Sequence, residues 1–147
     1  MSTPGGNRHV VTVEGDASGF AQRITAGSYT FSADEPVAGG GTGTGPDPYQ
    51  LMLAALGACK SMTAALYARR KQWPLTRVRV RLAHSRIWSQ DCENCLTQPV
   101  QLDRIECAIE FSGDLTHDQR IRLVEIADRC PVHRTLTSKI DIATTLA

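Results

Sequence analysis

DPYQLMLAALGACKSMTAALYARRKQ, residues Asp47 to Gln72, decides how the rest of the chain is read. Asp47 is a good N-cap, Pro48 suits the first helical position, and Pro74 stops the run just beyond Trp73, so both ends of one long helix are written in the sequence. Met52, Ala55, Leu56, Met62, Thr63 and Leu66 fall on the side of Cys59, and Leu53, Ala54, Ala58 and Ala65 make the flanks apolar as well. A helix that is apolar nearly all round belongs in a core, so Cys59 is expected to be buried or nearly so. Arg69, Arg70 and Lys71 are built for water and suit the negative end of the helix dipole.

A chain of 147 residues and 16.0 kDa suits a single domain, residues 1–147, with the polar residues 1–7 expected to be disordered. A formal charge of +1 gives no reason to expect nucleic acid or a membrane as partner. No N-terminal run resembles an export signal, and no stretch is expected to span a bilayer. The expected location is cytoplasmic. In that reducing compartment the cysteines Cys59, Cys92, Cys95, Cys107 and Cys130 point to redox chemistry, metal binding or plain burial rather than to static disulfides.

The segments before the helix read as short strands, Arg8 to Glu14, Phe20 to Thr25 and Ser28 to Ser32, forming a small antiparallel sheet. Arg23 alternates with Ile24 and reads as an exposed strand arginine. The glycine-rich Asp34 to Pro46 lacks the Gly-Lys-Ser/Thr ending of a phosphate loop and reads instead as a connection of close approach to the helix. Beyond the helix, Arg77 to Leu82 and Leu102 to Phe111 alternate strictly, one strand with a basic face and one with acidic residues that can pair across a hairpin. Cys107 shares its face with Ile105 and Ile109 and is expected to point into the core. Lys139 to Thr144 reads as a closing edge strand.

Cys92-Glu93-Asn94-Cys95, at the expected hairpin tip, has the spacing of half a zinc site or of a redox pair. A structural zinc takes about four ligands, no second such pair follows, and His84 supplies at most one more, so no metal is assigned. Thr116 and Gln119 form a capping-box pattern that opens a second helix, in which Leu123, Val124, Ala127 and Cys130 share the buried face. Pro131 bends the chain at Cys130 and starts a new turn, placing this thiol as an N-cap where free amides stabilise a thiolate. Two packed core cysteines would satisfy the same pattern, and only Gly57 beside Cys59 and the chain reversal at Cys130 favour chemistry.

GPDPYQLMLAALGACKSMT around Cys59 and GDLTHDQRIRLVEIADRCPVHRTL around Cys130 resemble the osmotically inducible protein C (OsmC) and organic hydroperoxide resistance family, from about Phe20 onward. The resemblance implies an α+β OsmC-like fold, a long central helix packed against antiparallel sheets, and an intertwined homodimer. It implies reduction of organic hydroperoxides without a cofactor: Cys59 is the peroxidatic thiol, Cys130 resolves its sulfenic acid into a disulfide, and an external thiol reduces that disulfide. It also implies an arginine from the N-terminal sheet beside Cys59, for which Arg23 is the candidate, held by a glutamate where this chain has Tyr49 with Gln50 beside it. Met52, Leu56 and Met62 would then wall a pocket for an alkyl or lipid-like peroxide. Two other readings stand beside it: a thiol–disulfide oxidoreductase or redox sensor relaying through Cys92 and Cys95, and a non-enzymatic binder of an apolar small molecule.

Overall fold

The computed structural model describes residues 8–88 and 100–147. The chain divides into two compact units, through Leu51 and from Met52 onward. The first holds an antiparallel sheet in the order β1 (Thr12–Gly15), β2 (Gln22–Ala26), β3 (Tyr29–Ala33). Alternation puts Ile24 inside and Arg23 out, where Arg23 stands between Glu14 and Ser32 in the strand register. That is the exposed placement the strand pattern predicts.

The glycine-rich segment is organised within the same unit by Asp34, whose carboxylate accepts from the amides and hydroxyls of Thr42 and Thr44 and from the amide of Glu35. These bonds, led by the Thr42 hydroxyl, hold its pKa far below the usual carboxylate range. A Cβ at Gly41 would stand 2.0 Å from the Glu35 carbonyl oxygen and one at Gly45 2.3 Å from that of Ser32. The glycines serve a close approach, but to the backbone of Glu35 and Ser32 rather than to the helix as expected.

Helix α1 runs over Pro48–Lys71. Its start is a reciprocal cap: the Gln50 amide donates to Asp47 at 2.8 Å, and the Asp47 amide to the Gln50 side chain at 2.9 Å. By length and composition these 24 residues could cross a membrane, contrary to the expectation above. The face the helix buries marks it as a core helix instead. Leu56, Lys60, Ala64 and Ala68, spaced by one turn, are buried, whereas Met62 and Leu66 on another face are exposed. The sequence gives an apolar surface nearly all round; only one stripe is covered by its own chain.

The covering layer is the hairpin of β4 (Leu75–Trp88) and β5 (Gln101–Gly113). Val78 lies opposite Phe111, Val80 opposite Ile109, Leu82 opposite Cys107 and His84 opposite Ile105. The basic face of β4 meets a carboxylate only in places: Arg79 lies opposite Glu110, whereas Arg81 lies opposite Ala108. Gly57 is where α1 presses on this sheet, since a Cβ there would come within 2.7 Å of the Leu82 Cδ1. Its small size therefore serves helix–sheet packing. Residues 89–99, and with them Cys92 and Cys95, lie outside the described residues.

Helix α2 (His117–Ala127) opens with the predicted box between Thr116 and Gln119. It buries Leu123, Ile126 and Ala127, whereas Val124, expected inside, is 41% exposed. Leu123 and Ala127 join Ala64, Ala68, Phe111 and Leu115 in one core. A short helix α3 (Pro131–Thr137) follows. Residues 139–147 carry no regular structure, so the expected closing strand is not formed within the chain, and Ile140 and Ile142 stand exposed. Replacing Leu123, fully buried at the centre of this core, by Ala should lower unfolding free energy by about 2–5 kcal/mol in urea denaturation; a loss below about 1 kcal/mol would contradict this packing.

Candidate functional site

Cys59 lies midway along α1 and is partly buried. Cys130 lies at the junction of α2 and α3 and is fully buried. Pro131 keeps Cys130 extended, at φ −64° and ψ 148°, which makes it the N-cap of α3. Its Sγ accepts from the His133 amide at 3.4 Å, the capping geometry expected from the sequence. The Cys59 thiol lies near enough to that of Cys130 to raise its pKa. The fold thus brings together the sulfurs of residues far apart in the chain.

Electrostatics at Cys130 are a contest. Burial is the largest effect and pushes the thiol up, the His133 amide pulls it down, the neighbouring Cys59 thiol adds to the rise, and the Lys60 charge opposes it. Lys60 is the residue the sequence reading missed. It follows Cys59 directly, is 1% exposed, and donates from Nζ to Asp128 Oδ1 and to His133 Nδ1, each at 2.8 Å. An ammonium group has only donors, so His133 Nδ1 is the acceptor and the ring proton sits on Nε2. Lys60 occupies the covered stripe of α1, at an i, i+4 spacing from Leu56 and Ala64. A lysine within an otherwise apolar stripe was the signal available in the sequence.

Beside this cluster a cavity of about 210 Å³ is lined by Leu56, Ile105 and Leu136 and by Lys60, Cys107 and His133, among others. Of the expected pocket walls, Leu56 is placed here; Met62 is 70% exposed and faces away from its own unit's core. Cys107 also departs from expectation. It keeps the inward register with Ile105 and Ile109, yet as a residue it is exposed and it lines the cavity rather than packing in the core. Its thiol nevertheless feels burial first, which raises its pKa, with Lys60 pulling it down and Asp128 pushing it up. The burial of the sulfur at the cavity wall decides its chemistry more than the exposure of the residue as a whole.

Arg23 belongs to the first unit and the cysteine pair to the second. Tyr49 stands 48% exposed at the start of α1, and Gln50 is taken up by the Asp47 cap. His84, considered as a metal ligand, pairs through Nε2 with Asp103 at 2.8 Å. No group of three possible metal ligands occurs among the described residues.

Both raised thiols favour the protonated form in the folded chain. Stability from Cys130 and Cys107 is therefore fully present below the ordinary value of 9.0 and is lost as pH rises past it toward their higher folded values. Iodoacetamide mapping of the native protein should label Cys107 before Cys130, both slowly at neutral pH and faster in alkali. Earlier labelling of Cys130 would contradict its burial.

The chain resembles several solved structures across most of its length. It matches an organic hydroperoxide resistance protein OsmC of Legionella pneumophila with 18% identity and a TM-score of 0.64, covering 91% of this chain and 92% of that one. It matches the organic hydroperoxide resistance protein OhrB of Bacillus subtilis with 21% identity and a TM-score of 0.60, covering 91% and 93%. A third match is an organic hydroperoxide resistance protein of Vibrio cholerae with captopril bound in one active site, at 21% identity and a TM-score of 0.62, covering 96% and 90%. At these identities the matches establish the fold. No match to a curated protein was found. The family model for OsmC-like proteins matches residues 41–145, a span that includes Cys59, Lys60, Asp128, Cys130 and His133, and the chain belongs to the OsmC-like family with its α+β fold.

Proposed function

We propose that this protein reduces organic hydroperoxides with Cys59 and Cys130. The observation that carries the reading is that these two thiols, one partly and one fully buried, lie within interaction range of each other. The names of the structural relatives from Legionella pneumophila and Bacillus subtilis lend it support. The Cys59 thiolate attacks the distal oxygen of ROOH; the O–O bond breaks, ROH departs with a proton, and Cys59 becomes a sulfenic acid. The Cys130 thiolate then attacks the Cys59 sulfur, an S–S bond forms, and the sulfenic hydroxyl leaves as water. An external dithiol reduces the disulfide and is itself oxidised.

The apolar walls of the neighbouring cavity, Leu56, Ile105 and Leu136, favour an alkyl or lipid-like peroxide over hydrogen peroxide. Arg23 remains the arginine that the family pattern points to as the activator of Cys59. The working form is a homodimer in the cytoplasm. Supporting it, Phe31 and Tyr29 in the first unit and Met62, Leu66 and Ile142 in the second leave apolar surface exposed on the single chain.

Cumene or tert-butyl hydroperoxide should be consumed in the presence of dithiothreitol, and Cys59→Ser should lower the rate at least about 100-fold. Equal rates in wild type and variant would reject the peroxidase. Light scattering should give twice the 16.0 kDa chain mass; a monomer at micromolar concentration would reject the dimer.

A further inference from the structure

Lys60 is a buried cation that the two-cysteine cycle described above does not yet use. It adjoins Cys59 in sequence, and its two partners flank Cys130, Asp128 two residues before and His133 three residues after. The same His133 donates its amide to the Cys130 sulfur. The cation is therefore fixed to the segment that carries the resolving thiol. Asp128 is more than half exposed at its side chain, 57% against 1% for Lys60, so its charge is partly screened by water while that of Lys60 is not.

We infer that Lys60, held in place by Asp128 and His133, is the cation that supports thiolate formation at Cys130 when the Cys59–Cys130 disulfide closes. Asp128 and His133 are positioning residues that hold the lysine at the junction. Closure needs Cys130 as a nucleophile: its sulfur attacks that of Cys59, its proton having left, and the group on Cys59 departs with the electron pair. A fully buried thiol resists ionisation, and a nearby positive charge offsets that resistance. The influence of Lys60 on Cys130 has the required sign. The charged and titratable groups around Lys60 are Cys59 on its own helix, Asp128, Cys130 and His133 at the α2–α3 junction, and Asp103 and Cys107 on β5, with His84 of β4 paired to Asp103.

This inference rests on the two-cysteine reading but not on the peroxide, so the test uses a different oxidant. Diamide accepts the Cys59 thiolate at its N=N bond; Cys130 then attacks the Cys59 sulfur, forming the disulfide and releasing the reduced hydrazine. The Cys59–Cys130 peptide pair is followed by mass spectrometry across pH. In Lys60→Met the pH midpoint of closure should rise by about one unit, slowing closure roughly tenfold at neutral pH. In Lys60→Arg, which keeps the charge, the midpoint should stay near that of the wild type.

A raised midpoint in Lys60→Met but not in Lys60→Arg is the signature of charge, because a merely structural cluster would move both variants the same way. A folded Lys60→Met with the wild-type midpoint, an equal rise in Lys60→Arg, or no Cys59–Cys130 disulfide in the wild type would each overturn the inference. If Lys60→Met does not fold, Lys60→Gln takes its place, a raised midpoint supporting and an unchanged or lowered one overturning. A wild type that closes with diamide but ignores hydroperoxides would sink the peroxidase reading and leave this one standing.

Discussion

The ammonium group of Lys60, bonded to Asp128 and His133 across gaps of 68 and 73 residues, fixes α1 against the turn between α2 and α3. A lysine taken fully out of water would destabilise the fold heavily without partners, and breaking a buried pair typically costs about 3–5 kcal/mol. Here one acceptor is a carboxylate at the wet edge and the other a neutral ring nitrogen, so the charge is met without burying a second full charge. No buried side-chain polar atom among the described residues lacks a partner. The tie is directional as well as attractive, and it settles which residues of α1 face which residues of the junction.

The cysteine pair follows from that alignment. Cys59 is next to Lys60 in the chain, and Cys130 lies between the two residues that hold the lysine, so the tie that seats the cation also seats the sulfurs together. The Cys130 cap on α3 supplies an amide at the same point. Burial, which discourages a thiolate, and the cation and amide, which favour one, thus meet at a single sulfur. The adjoining cavity places a third thiol, Cys107, within the influence of the same lysine. One charge therefore serves a region with more sulfur chemistry than a simple pair.

Family membership and geometry carry different parts of the account. The OsmC-like match accounts for the fold, and in this chain Tyr49 stands exposed at the start of α1 while Gln50 caps it. The cation held at the junction comes from the geometry, through the bonds of Lys60 to Asp128 and His133. In the first unit, Asp34 orders the glycine-rich loop by the same means, a charged group surrounded by local donors.

Local signals were legible without coordinates. Asp47, Pro48 and Pro74 bound the long helix, Thr116 with Gln119 starts the second, Pro131 forces the reversal that makes Cys130 a cap, and alternation puts Arg23 outside and Ile24 inside. Each depends on residues within a few positions of one another, where backbone sterics and short-range hydrogen bonds decide. Periodicity could not say how much of α1 its own chain would cover, and it misplaced Met62, Val124 and Cys107, because a repeat identifies a face but not what lies over it. The sequence by itself determined the helices, the strands other than the expected closing one, and the two cysteine motifs. Only the tertiary structure decided that Lys60, Asp128 and His133 converge on those motifs, since bonds between segments some 70 residues apart depend on how helices and sheet pack and leave no local trace beyond a lysine in an apolar stripe.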